Sequence, residues 1–280
     1  GKDLTTAAIN ELARFSPVEV LINDGVLSLK DCISFIKQKI KAAVTLLEEG
    51  RFSAERHELD ICKQFSCESL DEIGLDKESI GACAVSGLFT YIKDTQKALV
   101  GRFSKLQKHE SDPVMTIGFT ARRNLELTET LRNKERKGSL IWVLDHTKTS
   151  MGKRMLKTCI EQPLINPVKI IERLNAVELL TKTPVELGEL KENLSGVYDI
   201  ERLMTRVMYK TANPRDLKSL SLTALKLPAI KGILAGFNSK LLTECNNRIS
   251  TLDAISSLVE NSIVDEPPVN IKDGGIIKDG

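Results

Sequence analysis

Aromatic residues are scarce in this sequence. Eight Phe, three Tyr and a single Trp amount to 4% of 280 residues. That is too few for a β-sandwich core or for a protein that stacks RNA bases on aromatic rings. It suits a core of Leu and Ile on helices. The six cysteines, at positions 32, 62, 67, 83, 159 and 245, contain no Cys-x-x-Cys. The three histidines, at 57, 109 and 146, stand at no ligand spacing from them, so a zinc site is not expected. No apolar run reaches the roughly 18 residues a membrane span needs, and no secretory signal is recognisable. The expectation is a cytosolic, reduced chain with no membrane partner.

Charge of one sign is also missing: the net charge is +2, which gives no global argument for a polyanionic partner. The distribution is less even. Residues 101–160 hold 13 Lys and Arg against 6 Asp and Glu, and the rest of the chain 27 against 32. Such a basic middle is either a solvated helical face or a side turned to a polyanion.

Catalytic and nucleotide motifs are lacking as well. A phosphate-cradling loop needs G-x-x-x-x-G-K-[ST]. The stretch SMGKR at 150–154 has Thr147 where the first glycine belongs, and Arg154 where a hydroxyl would hold magnesium. No Gly-x-Ser-x-Gly elbow occurs. Asp145 beside His146 reads as a surface loop rather than an acid–base pair. No catalytic residue, metal ligand or cofactor site is expected in this stretch, and no enzyme activity of its own.

What is present is helical periodicity. Residues 5–14 have a helical spacing, followed by a short β-branched strand at 17–23 whose sheet partners are expected from elsewhere. Residues 29–50 read as a helix to about Lys41 and then a short strand. Residues 51–76 look polar and broken. From Lys77 a long buried helix is expected, with Ile80, Cys83, Ala84, Leu88, Tyr91, Ile92, Thr95 and Leu99 inward. Ala82, Ala84, Ser86 and Gly87 leave room for a close neighbour. A strand is expected at 113–119. Beyond it nearly everything reads as helix. Met151, Met155, Leu156, Cys159 and Ile160 share one face, and Pro163 ends the run. Asn166-Pro167 and Asn213-Pro214 each place a capping side chain before a proline at the first helical position. Ile171, Leu174, Val177 and Leu180 are expected inward after the first, and Leu217, Leu220, Ala224 and Leu225 after the second. The tail 267–280 alternates around Asp273-Gly274-Gly275, a hairpin signal. The fold class is mainly α, with a partial α/β segment first and a short β-hairpin last.

Two basic stretches are candidate sites. Lys134, Arg136 and Lys137, in LRNKERKG, form either a solvated turn or a grip on DNA phosphates. Arg122 and Arg123, in ARRNLELTE at 121–129, stand next to Leu125 and Leu127. Arginines so anchored fork onto carboxylates or onto the carbonyl ends of helices, or else reach a phosphate.

ARRNLELTETL, SLIWVLDHTKTSMGKRMLKTCIEQPL, GLFTYIKDTQKAL, NPRDLKSL and DEPPVNIKDGGIIKDG together resemble, in the same order, segments of the MutS family of DNA mismatch-repair proteins. The likeness runs from about Thr5 to Gly280. It implies that residues 1–76 are the later part of an α/β connector domain and that residues 77–95 link connector and core. Residues 96–280 would be the first segment of a helical core, ending before the lever helix and clamp. It further implies a role that couples mismatched-DNA binding to an ATPase domain. The partners implied are mismatched double-stranded DNA, a second copy in a homodimer and a MutL-like repair protein. ATP and magnesium are implied for the full-length protein only, in the bacterial cytosol near the nucleoid. Arg122, Arg123, Asn124, Asp145, Met151 and Gly152 become candidate interdomain or structural residues. Where the family often has Asp and Thr near the arginine pair, this chain has Gly118 and Ala121. No phenylalanine is followed two residues later by Glu, so the family's mismatch wedge is not in this stretch. The alternative reading is a free-standing helical module that binds DNA non-specifically through 101–160.

Overall fold

The computed structural model describes residues 2–95, 106, 114–269 and 271–278. The chain divides into two units: residues 1–111 with 117–120, and residues 112–116 with 121–280. Leu99, most of the basic stretch before Val114, and the expected hairpin's Asn270, Asp279 and Gly280 lie outside the described residues.

The first unit runs α1 (Lys2–Phe15), β1 (Glu19–Ile22), α2 (Lys30–Ser34), β2 (Ala43–Leu46), α3 (Ala54–Phe65) and α4 (Ile80–Thr95). A π-helical turn, Phe35–Ile40, continues α2, and Lys41 in the left-handed region ends it. The chain then returns as β2, parallel to β1, with Glu19 opposite Ala43 and Ile22 opposite Leu46. A helical crossover is what a parallel pair requires, so β1 finds a partner inside the chain. Thr45 Oγ1 and Tyr91 Oη donate to Glu19 Oε1 at 2.5 and 2.8 Å, tying β2 and α4 to β1.

The unit's core is Ala54, Ile61, Cys62, Leu70, Leu75, Ala82 and Phe89. Helix α3 occupies a stretch that reads as broken in sequence. Ser53 caps it, its side chain accepting from the Arg56 amide. Helix α4 buries Ala82, Ser86, Gly87, Phe89 and Thr90. The expected inward face was turned: Ile80 and Leu88 are 89% and 52% exposed. Small residues decide the orientation, because they let neighbouring chain approach. Ser86 Oγ reaches the carbonyls of Arg51 and Ser53 at 2.8 and 3.1 Å. A Cβ on Gly87 would stand 2.5 Å from two ring carbons of Phe52. Phe119 also belongs to this unit. Its ring meets that of Phe35 edge-on at 5.0 Å, and its amide donates to Asn10 Oδ1 at 3.3 Å.

The chain crosses from one unit to the other within α5 (Phe119–Asn124), between Thr120 and Ala121. The strand expected at 113–119 is reduced to one antiparallel bridge, Val114 with Leu164; residues 115–118 are irregular and Phe119 starts the helix. The second unit continues with α6 (Leu140–Leu144), α7 (Ser150–Glu161), α8 (Pro167–Lys182), α9 (Pro184–Ser195), α10 (Ile200–Met208), α11 (Pro214–Ala235), α12 (Lys240–Arg248) and α13 (Asp253–Ser262).

Helix α11 is the hub, packed against α9, α10, α12 and α13. Asn213 and Asp216 form a reciprocal capping box, at 2.8 and 3.0 Å, with Pro214 in the first turn. Ala176, Leu190, Leu227, Ile230, Leu234 and Leu242 form its core. Lys218, buried in α11, reaches Glu260 of α13 at 3.0 Å and Asp265 at 3.3 Å. Helix α8 is capped by Asn166 as its sequence predicts, but it buries Ala176, while Ile171, Leu174 and Val177 are more than half exposed. Leu225 of α11 is likewise exposed. Periodicity finds a face; it does not say which face a neighbour covers. The tail pairs antiparallel at Ile263 and Ile277. Its partner is the segment after α13 rather than a strand just across Asp273-Gly274, since a 3-10 turn occupies Ile271–Asp273.

Candidate functional site

Helix α5 ends by a change of backbone hand at Glu126, whose φ is 49°. The Leu125 and Glu126 amides fold back onto the carbonyls of Ala121 and Arg123. Glu126 Oε1 then accepts from the Leu131 amide at 2.6 Å, closing the loop. Leu127 is buried and anchors the segment, whereas Leu125 is 62% exposed and does not.

Arg122 is half-buried, and its Nη2 donates to the carbonyl of Glu161 at 3.2 Å. Glu161 is the last residue of α7. Carbonyls in a helix's last turn have no amide four residues on, and the dipole there favours a cation. The acceptor is thus a helix-end carbonyl, and it lies in Arg122's own unit. Arg123 and Asn124 are exposed.

Asp145 sits beyond α6 with its two oxygens divided between tasks. Oδ1 accepts from the Thr147 amide at 3.1 Å and from the Thr147 hydroxyl at 2.5 Å. Oδ2 is ion-paired with Arg136. The Thr147 hydroxyl first, and the Arg136 guanidinium next, hold the Asp145 carboxyl down to about 2. The structure therefore brings together Asp145, expected as structural, and Arg136, expected on DNA phosphate. Lys134 pairs with Glu129 at 2.8 Å. Lys137 is exposed. Two of the three expected phosphate-facing cations thus already have carboxylate partners.

Gly152 stands in the first turn of α7, and its amide donates to the capping Thr149 Oγ1 at 2.9 Å. A Cβ there would meet that oxygen at 3.0 Å and Thr147 Cβ at 3.4 Å, so glycine lets the cap close. Met151 beside it is half-buried.

Sequence reasoning missed the strongest polar cluster nearby. Arg154 Nη1 and Nη2 reach Asp199 Oδ2 and Oδ1 at 2.5 and 3.1 Å, and Nη2 also reaches Glu201 at 2.8 Å. Ser150 Oγ adds a bond to Asp199 at 3.1 Å. The Arg154 side chain chiefly, with the Arg202 amide and Ser150 hydroxyl adding, holds Asp199 at about 2. Arg154, which spoils the phosphate-loop pattern, is instead the tie from α7 to the start of α10. The signal available in sequence was Asp199 as a capping residue before Ile200; nothing indicated its arginine. Among the described residues no cluster of three or more His, Cys, Asp or Glu has metal-binding geometry.

Comparison with known proteins divides the chain much as the fold does. Residues 2–107 match the family model for MutS domain II, and residues 120–279 that for MutS domain III. The protein from Ruminiclostridium cellulolyticum described as "DNA mismatch repair protein MutS" is 40% identical over 272 residues, covering 97% of this chain and 31% of its own length. Its counterparts from Clostridium novyi and Alkaliphilus oremlandii are 40% and 36% identical, covering 98% and 100% of this chain. The chain spans about a third of the length of these relatives.

Proposed function

The chain belongs to the MutS family, and on that premise we propose that it is the connector-and-core portion of a mismatch-repair protein, coupling mismatched-DNA binding to ATP hydrolysis without performing either. The observation that carries this reading is that one of the chain's passages between its two units lies inside a short helix, α5. Its Arg122 is bonded to the end of α7. A helix held by side-chain hydrogen bonds is an element whose position a neighbouring domain can bias.

Residues 1–76 are assigned to the connector, 77–95 to the link and 96–280 to the core. Arg122, Arg123, Asn124, Asp145, Met151 and Gly152 are assigned to holding this region together. Lys137, with Lys134 and Arg136 where their ion pairs open, is the remaining candidate for a phosphate contact. The full-length protein would bind mismatched double-stranded DNA, pair with a second copy, use ATP with magnesium and engage a MutL-like partner in the bacterial cytosol.

The part of the proposal that denies chemistry to this stretch is tested on the chain itself. Calorimetry should detect no saturable ATP binding at micromolar concentration. A salt titration should find equal affinity for a matched duplex and for one with a single G·T pair, with Kd on the order of 10⁻⁴–10⁻⁶ M at physiological salt. A tenfold preference for the mismatch, about 1.4 kcal/mol, would place the reading function here and overturn the assignment.

A further inference from the structure

Helix α3 ends in a way that brings two thiols together. Ser66 takes a left-handed conformation, φ 56° and ψ 45°. The Cys67 amide then reaches back five residues to the Cys62 carbonyl at 3.0 Å. This is the Schellman closure, in which the side chain after the left-handed residue packs on the one three positions before the cap. Here those two side chains are Cys67 and Cys62. Cys62 lies in the core with Ile61, Leu70 and Ala82, and Cys67 packs against the same cluster. Cys62 is buried and Cys67 half-buried, and neither is in a disulfide.

We propose that Cys62 and Cys67 are a peroxide-oxidisable thiol pair that closes to an internal disulfide across the end of α3. The inference is independent of the mismatch-repair reading. Peroxide reaches Cys67 first, because only that thiol is partly open to solvent. Its sulfur attacks the peroxide oxygen; an S–O bond forms, the O–O bond breaks and water leaves, giving a sulfenic acid at Cys67. Cys62 sulfur then attacks Cys67 sulfur. The S–S bond forms, the S–O bond breaks, and the Cys62 proton departs with the hydroxide as a second water. Two thiols and one hydrogen peroxide give one disulfide and two waters.

Burial first, and then the hydrogen bond to Cys67, push the Cys62 thiol up to about 11. Cys62 is thus the slower of the two thiols towards peroxide while lying beside Cys67, which sets the order of the two steps; it gives up its proton only as its sulfur attacks the Cys67 sulfenic acid. Of the other cysteines, Cys245 is exposed, Cys83 and Cys159 are half-buried in α4 and α7, and Cys32 is buried in α2.

Lys63 lies between the two cysteines, so trypsin separates them into peptides 57–63 and 64–77. The test treats the folded chain with hydrogen peroxide, blocks remaining thiols and maps the digest. The expected result is that these two peptides appear joined, with the mass lower by two hydrogens, and part again on reduction. In the C62S variant, dimedone should capture a sulfenic acid at Cys67; in C67S it should capture none at Cys62. The proposal is overturned if both cysteines remain alkylatable while Cys245 is oxidised. It is equally overturned if Cys67 proceeds to sulfinic acid unlinked, or joins any cysteine other than Cys62. The wild-type map decides the question even if a variant folds poorly.

Discussion

Arg154 and Asp199 meet fork to fork: two guanidinium nitrogens lie on two carboxylate oxygens, at 2.5 and 3.1 Å. The same carboxylate accepts from the Arg202 amide as the cap of α10. One aspartate therefore starts a helix and ties it to α7. Planar, paired donors are what lysine cannot supply. Arg154→Lys should lower the melting temperature of the second unit, and Arg154→Ala should lower it further, by calorimetric scan. Equal melting points for both variants and the parent would show that the pair contributes nothing to stability.

That aspartate and Asp145 together predict an acid response. Asp145 and Asp199 both sit at about 2 in the fold, below the roughly 3.9 of an unfolded aspartate. For a depressed carboxyl the stabilisation is complete above the unfolded value and is lost as pH falls through the folded one. Stability should therefore decline between about pH 4 and pH 2. Asp199→Asn should be less stable than the parent at pH 6 and lose less on acidification. A parallel decline in parent and variant would remove Asp199 from the account.

Two glycines within helices should respond in opposite directions to alanine. Helix propensity alone favours Gly→Ala by about 1 kcal/mol. At Gly188 of α9 no atom beyond the neighbouring residues and the helix's own backbone lies within 4 Å of the added Cβ, so Gly188→Ala should stabilise by about 0.5–1 kcal/mol. At Gly87 the Phe52 ring is in the way at 2.5 Å, and forced repacking costs about 1–3 kcal/mol. Gly87→Ala should therefore be net destabilising in denaturant titration. Stabilisation at both sites would mean that the Phe52 ring moves aside freely.

Pro228 lies inside α11, exposed, where no turn begins. An interior proline lacks the amide for the carbonyl four residues back and costs about 3 kcal/mol, partly offset by about 1 kcal/mol of chain stiffening in the unfolded state. Pro228→Ala should raise the stability of the second unit by about 1–2 kcal/mol. A loss on substitution would contradict the view that Pro228 costs the helix stability.

The legible parts of the fold were those written in local chemistry. Asn166-Pro167 and Asn213-Pro214 announced their helices because cap and proline act within one turn. Helix α3 is poorly legible, although Ser53 with Ala54, Ile61, Cys62 and Phe65 carries a cap and a narrow stripe. Its many charges masked that stripe. The turned faces of α4 and α8 are not legible, since burial depends on which other elements pack there: Phe52 against Gly87, and the α9 and α12 helices against α8. Within the candidate site the arginine pair at 122–123 is singled out by its neighbours, and Asp145 and Gly152 only through the family resemblance; Asp199 is 45 residues from Arg154, and no spacing rule connects them.

The measurement that bears most directly on coupling is the ratio of ATP hydrolysis with mismatched duplex to that with matched duplex in the full-length protein, before and after Arg122→Ala and Arg122→Lys. The account predicts that Arg122→Ala lowers this ratio while duplex affinity stays within twofold, because the substitution removes the bond to the Glu161 carbonyl at 3.2 Å. Arg122→Lys, which keeps the charge and a donating ammonium but not the planar fork, should recover part of the ratio. An unchanged ratio accompanied by a loss of duplex affinity would contradict the account and make Arg122 a phosphate contact.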